Sequence, residues 1–165
     1  MSLDSTLDAH FSQHPEVSAA YLFGSQAQGT ARPGSDVDVA ILLDPAFDLK
    51  AHFAYRLEQM AALETLCQRP VDVVILNQAP SVLRHQVLKY GRLVYERAHR
   101  QRVTFEVQSR LAYFDFKPTL DFLYDRLLRD IKEGNLGTRY RGRRDPIDDA
   151  RRARERFESL AKDNL

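Results

Sequence analysis

Tryptophan is absent from the 165-residue sequence and cysteine occurs once, at Cys67. A lone thiol excludes an internal disulfide, so the fold has to be held by packing, and Cys67 itself is expected to be a small buried apolar group. Long apolar runs are missing too. Stretches such as residues 71–76 (VDVVIL) are far shorter than the roughly 20 residues of a membrane span. The opening MSLDSTLDAHFSQ lacks the basic start and apolar core of a signal peptide. A soluble, reduced, cytoplasmic protein with no membrane association is the expectation. Five histidines, His10, His14, His52, His85 and His99, show no metal-ligand spacing and read as helix-face or surface residues.

Strong net charge is also lacking, at +1 overall. Residues 1–97 carry 8 basic against 11 acidic side chains, and residues 98–165 carry 16 against 12. The basic second half suits a solvated helical face, and nucleic acid is not the expected partner.

The periodicities predict an α+β fold. Leu3, Leu7 and Phe11 suggest a helix ending near His14. VSAAYLF (17–23) reads as a strand running into a turn and short helical piece at Gly24-Ser25. A second strand spans Asp36 to Leu43, and a helix with Leu49, Phe53, Leu57, Met60 and Leu63 on one face follows, with Asp48 as its cap. Residues 71–76 form a third strand and Pro80 opens a helix carrying Leu83, Val87 and Tyr90. Gly91 ends that helix, and Arg92 to Glu96 makes a fourth strand. Alternating strands and helices imply a mixed four-stranded sheet covered by helices. Two further helical stripes follow, Val103, Val107, Leu111, Phe114 and then Leu120, Leu123, Leu127, Leu128, Ile131, with Pro118 kinking or dividing them. The aromatics Phe105, Tyr113, Phe114, Phe116, Phe122 and Tyr124 follow these stripes and are expected to pack. The organisation predicted is a sheet domain over 1–97, a helical extension over 98–137 and a charged tail over 138–165.

The second strand holds the chemistry. Residues i and i+2 share a face of a strand, so Asp36, Asp38, Ala40 and Leu42 point one way and Val37, Val39, Ile41 and Leu43 the other. A buried carboxylate without a partner is costly, and no lysine or arginine stands in that strand. A divalent cation is the natural counter-charge, and oxygen-only ligation favours magnesium shared with substrate phosphates. Asp72, the polar residue of VDVVIL, can join from a neighbouring strand about 4.8 Å away. Gly24 and Ser25 follow a strand directly, where backbone N–H groups and a hydroxyl can grip phosphate oxygens. Their spacing to the acids is Gly-Ser-x10-Asp-x-Asp.

That spacing, with Asp72 beyond it, resembles the nucleotidyltransferase superfamily that includes DNA polymerase beta, and within it the minimal nucleotidyltransferases. SVLRHQVLKYGRLVYER and FEVQSRLAYFDFKPTLDFLYDRLLRDIKEG extend the likeness to the MNT-type antitoxins encoded with HEPN ribonuclease toxins. The resemblance covers residues 15 to about 137 and implies the nucleotidyltransferase fold. It implies a type VII-like antitoxin that transfers AMP from ATP to a tyrosine of its cognate HEPN toxin, its protein partner in a hetero-oligomer. Gly24 and Ser25 would hold the β and γ phosphates, Asp36 and Asp38 two magnesium ions, and Asp72 the metal nearer the acceptor while helping to remove its proton. Members often carry basic residues around the Gly-Ser turn, where this chain has Gln26 and Gln28. Arg32 and Arg84 are the two candidate replacements. The alternatives weighed are an antitoxin that acts by binding alone and a transferase acting on a small molecule such as an aminoglycoside.

Overall fold

The structure is a computed structural model, and it describes residues 2–48 and 52–134. The expectations for Leu49 and for the tail over 138–165 lie outside the described residues.

Four strands, β1 (Val17–Phe23), β2 (Val37–Leu43), β3 (Val71–Ile75) and β4 (Arg92–Glu96), form one sheet in the order β3-β2-β1-β4. β1 pairs antiparallel with β2 and β4, and β2 pairs parallel with β3, so the sheet is mixed as expected. The parallel pair needs a long crossover, which α3 (His52–Cys67) supplies. Helix α1 (Leu3–Phe11) starts at Ser2, whose side chain accepts the Ser5 N–H, and it ends three residues before His14. α4 (Ser81–Tyr90) begins after Pro80 and ends at Gly91 as the sequence predicts.

Strand alternation divides the apolar side chains into two clusters. Val37, Val39, Ile41 and Leu43 of β2 face Leu7 and Phe11 of α1 and Tyr55 and Leu63 of α3. Ala40 and Leu42 face the other way, toward Val87 of α4 and Phe105. Burying a leucine or phenylalanine side chain is worth about 1.5–3 kcal/mol, so fully buried Leu7, Phe11 and Leu63 hold α1 and α3 to the sheet. A register shift between Val17 and Ala19 turns β1, so Val17 and Ala20 share the first cluster while Ala19 and Tyr21 enter the second.

The buried face of α3 differs from the expected one. His52, Tyr55, Gln59 and Leu63 are buried, whereas Phe53 and Leu57 are exposed at 69% and 47%. The polar side chains there are held in different ways: Gln59 Oε1 lies 2.7 Å from His10 Nε2, and the His52 ring stacks on Phe47. Burial, with His14 beside it, holds His10 below its ordinary value of 6.5 despite the Gln59 bond. Burial pushes Glu16 up, but bonds from its own backbone, His14 and Tyr55 outweigh this and hold it below 4.5. Both groups bind their proton less readily folded than unfolded, so the stability they contribute is present at neutral pH and lost on acidification. The urea midpoint should therefore fall as pH drops below 6.5, through His10, and again below 4.5, through Glu16. His10→Asn should flatten the first descent, and an unchanged profile would refute the assignment.

Helix α5 (His99–Lys132) is continuous through Pro118, so of the two alternatives, a long helix kinked there or a second helix begun, the division into two does not occur. The chain divides into two units at that proline, and of the second the structure describes residues 118–134. In the first unit Tyr21 Oη donates to Glu106 Oε1 at 2.9 Å, and Gln101 Nε2 donates to the Leu43 carbonyl at 3.3 Å, fixing the start of α5 to the sheet. Phe105 packs as expected, but Phe114 and Phe116 are exposed. In the second unit Phe122, Tyr124, Leu127 and Ile131 are exposed as well. Among the described residues no helix is long and apolar enough to cross a membrane.

Candidate active site

β1 delivers the chain into a one-turn helix, α2 (Gly24–Gln28), through extended Phe23. Gly24 then takes φ +65°, a conformation that side-chain-bearing residues rarely adopt. The register sets what lies beside it, because Asp38 on β2 pairs with Phe23 on one side and with Asp72 of β3 on the other. A Cβ added to Gly24 would fall 2.0 Å from Asp38 Oδ2 and 2.8 Å from its Cγ. The carboxylate of Asp38 therefore rests directly on the Gly24 backbone, and glycine is required there both for φ and for space. Ser25 follows within α2, whose carbonyl accepts the N–H of Gly29 as the turn closes.

The acids are not deeply buried, contrary to the expectation drawn from their strand. Asp36 stands one residue ahead of β2 and is exposed, Asp38 is half-buried, and the Asp72 side chain is 52% exposed. They occupy the ends where β2 and β3 enter the sheet, beyond the apolar cover that buries the rest of β2. Proximity still registers electrostatically: burial first, then the charges of Asp72 and Asp36, push Asp38 above its ordinary 3.8.

A basic side chain from another element does pair with one of these acids, Asp72. Arg56 of α3 reaches over β3, an edge strand, and its Nη2 lies 2.8 Å from Asp72 Oδ1 while its Nε donates to the Val73 carbonyl. Among the described residues no group of three acids, histidines or cysteines is arranged to hold a metal ion. Magnesium does not need three, being held characteristically by one or two carboxylates together with phosphate oxygens and waters. Asp36 and Asp38 beside a glycine turn that a Cβ would fill fit that requirement.

Of the two candidate replacements for the missing basic residues, Arg84 is committed elsewhere. Its Nη2 donates to the Asn77 carbonyl at 2.8 Å and its guanidinium lies 5.3 Å from the Phe105 ring centroid. Asn77 is bonded to Leu43, at the opposite end of β2 from Asp38. A cavity of about 610 Å³ lined by Leu42, Asn77, Phe105 and Gln108 is also at that end and includes none of the acids. Arg32 is exposed in the loop ahead of Asp36, its N–H bonded to Ser35 Oγ at 2.9 Å. Gln28 is exposed, and the amide nitrogen of Gln26 is buried with no hydrogen-bond partner among the described residues.

Residues 5–100 match the family described as polymerase beta, nucleotidyltransferase. The chain belongs to that family. Within this nucleotidyltransferase family, a curated relative is the protein adenylyltransferase MntA of Shewanella oneidensis, 35% identical over 81 residues. The match takes in 49% of this chain and spans 55% of that protein, about half its length. A solved toxin–antitoxin complex with AMP-PNP contains a chain 26% identical, covering 76% of this chain and 98% of that one at a TM-score of 0.64. A tri-AMPylated Shewanella oneidensis HEPN toxin in complex with its MNT antitoxin gives 23% identity, 76% and 96% coverage and a TM-score of 0.59, a likeness of fold.

Sequence reasoning missed Arg56. It lies 16 residues before its partner and on another element, so no local spacing joins them. The available signal was its place among His52, Tyr55, Gln59 and Leu63, a buried stripe too polar to stand out by hydropathy.

Proposed function

We propose that the protein transfers AMP from ATP to a tyrosine hydroxyl of a HEPN-type toxin and thereby neutralises it, in a magnesium-dependent reaction. The observation that carries this reading is the seating of Asp38 on Gly24, with Asp72 in register beside it. The Gly-Ser turn lying against Asp38 in a chain of the nucleotidyltransferase family supports reading it as a phosphate grip beside a metal site. The name of the curated relative and the complex containing AMP-PNP support the donor, the reaction and the class of partner.

In this reading Gly24 and Ser25 bind the β and γ phosphates through backbone N–H groups and the hydroxyl. Asp36 and Asp38 hold magnesium, which when bound would neutralise the triphosphate and the charge that develops on it. The acceptor oxygen attacks the α-phosphorus as the bond to the bridging oxygen of the β-phosphate breaks, and pyrophosphate leaves. Asp72 takes the acceptor proton. Residues 98–137 serve as the partner-binding extension, and the exposed Val103, Val107, Leu111 and Phe114 of α5 provide apolar area suited to a protein surface.

Incubation with labelled ATP, magnesium and a purified HEPN toxin that binds the protein should label the toxin. Binding without label would overturn transfer. The exposed face of α5 favours a second reading, in which binding suffices. Neutralisation in cells by an Asp36→Ala, Asp38→Ala variant at equal expression would establish it.

A further inference from the structure

We propose that Arg56 is a positioning residue for Asp72, fixing one carboxylate oxygen so that the other is presented to the site; this rests on the transferase reading above. Asp72 projects from an edge strand and is half exposed, so its carboxylate would otherwise turn freely. Arg56 limits that freedom by holding Asp72 Oδ1 at 2.8 Å. An ordinary surface ion pair gains little because both long side chains must be ordered to form it. Here the guanidinium is bound a second time, by its Nε to the Val73 carbonyl, the residue next to Asp72. The strand backbone thus fixes the plane of the fork and Nη2 is aimed along it. Asp72 Oδ2 remains for the acceptor proton or a metal ion. A lysine cannot reproduce this, since a single ammonium lacks the rigid planar spacing of Nε and Nη2.

The prediction is tested on the full chain with Arg56→Gln, Arg56→Lys, Asp72→Asn and the double variant Arg56→Gln, Asp72→Asn. Loss of an oriented partner behind a metal or reacting carboxylate typically costs about 10- to 100-fold. Toxin labelling by Arg56→Gln should therefore fall about tenfold in kcat with the KM for ATP changed less than about twofold, and Arg56→Lys should recover little of it. Manganese binding, titrated by electron paramagnetic resonance without nucleotide, supplies a readout that does not depend on transfer. Arg56→Gln should weaken it by about threefold or more, and the effect should vanish in the Asp72→Asn background, because Arg56 acts only through Asp72. A residue acting by charge alone would do the opposite: its removal would tighten manganese binding in both backgrounds. That result, or an Arg56→Lys protein that matches wild type, would overturn the proposal. If wild type labels no toxin while the manganese coupling is found, the transfer reading fails and the role of Arg56 stands.

Discussion

Replacing Asp36 and Asp38 together by alanine should abolish labelling of the toxin, by about a thousandfold or more, while leaving the melting temperature at or above that of wild type. The kinetic half follows because phosphoryl transfer relies on positioning and electrostatic stabilisation, and both depend on the ion these two carboxylates would hold. The stability half follows from the environment of Asp38. Burial and the charges of Asp72 and Asp36 raise its folded value above 3.8, so the folded chain binds the proton more readily than the unfolded one. The stability contributed by such a group is present below 3.8 and lost as pH rises through the folded value. At neutral pH the ionised carboxylate is therefore a net cost, and removing it relieves repulsion. A variant that melts well below wild type would show that the acids support the fold, and one that still labels toxin would remove them from the chemistry.

Gly24→Ala should lower both activity and stability. Alanine at φ +65° carries a backbone penalty of about 1–2 kcal/mol. The new Cβ would also sit 2.0 Å from Asp38 Oδ2, so the carboxylate must leave its place against the turn. A displacement of about 1 Å in a reacting group can cost about 100-fold in rate, so transfer should fall at least that far. The urea midpoint should drop by an amount corresponding to about 1–3 kcal/mol. Labelling within about threefold of wild type would show that Asp38 does not need its contact with Gly24, since misplacement would be expected to cost far more.

The fold was legible where a residue's environment follows from its neighbours in sequence. Alternation in DVDVAILL put Val37, Val39, Ile41 and Leu43 on one face of β2 and Ala40 and Leu42 on the other, as observed. Gly91 after α4 and the strand at Arg92–Glu96 were read from local backbone chemistry. Hydropathy failed on α3, because His52, Tyr55 and Gln59 are buried through partners on other elements or loops while Phe53 and Leu57 stay outside. It left open whether α5 is one helix or two, and Pro118 removes one N–H without ending the helix.

The candidate site divides in the same way. Gly24, Ser25, Asp36 and Asp38 were identifiable from one short stretch, since a turn that needs φ above zero and a strand that alternates both leave their mark within a few residues. The expectation that the acids are buried was wrong, because exposure depends on where the helices stop covering the sheet. By itself the sequence determined the strand pattern, the Gly-Ser turn and the spacing of the acids, through steric and periodic constraints that act locally. Only the tertiary structure decided that Asp38 rests on Gly24, that Asp72 is held by Arg56 and that Arg84 is committed to the far end of β2. Those contacts depend on strand register and helix placement, and packing of the whole chain sets both.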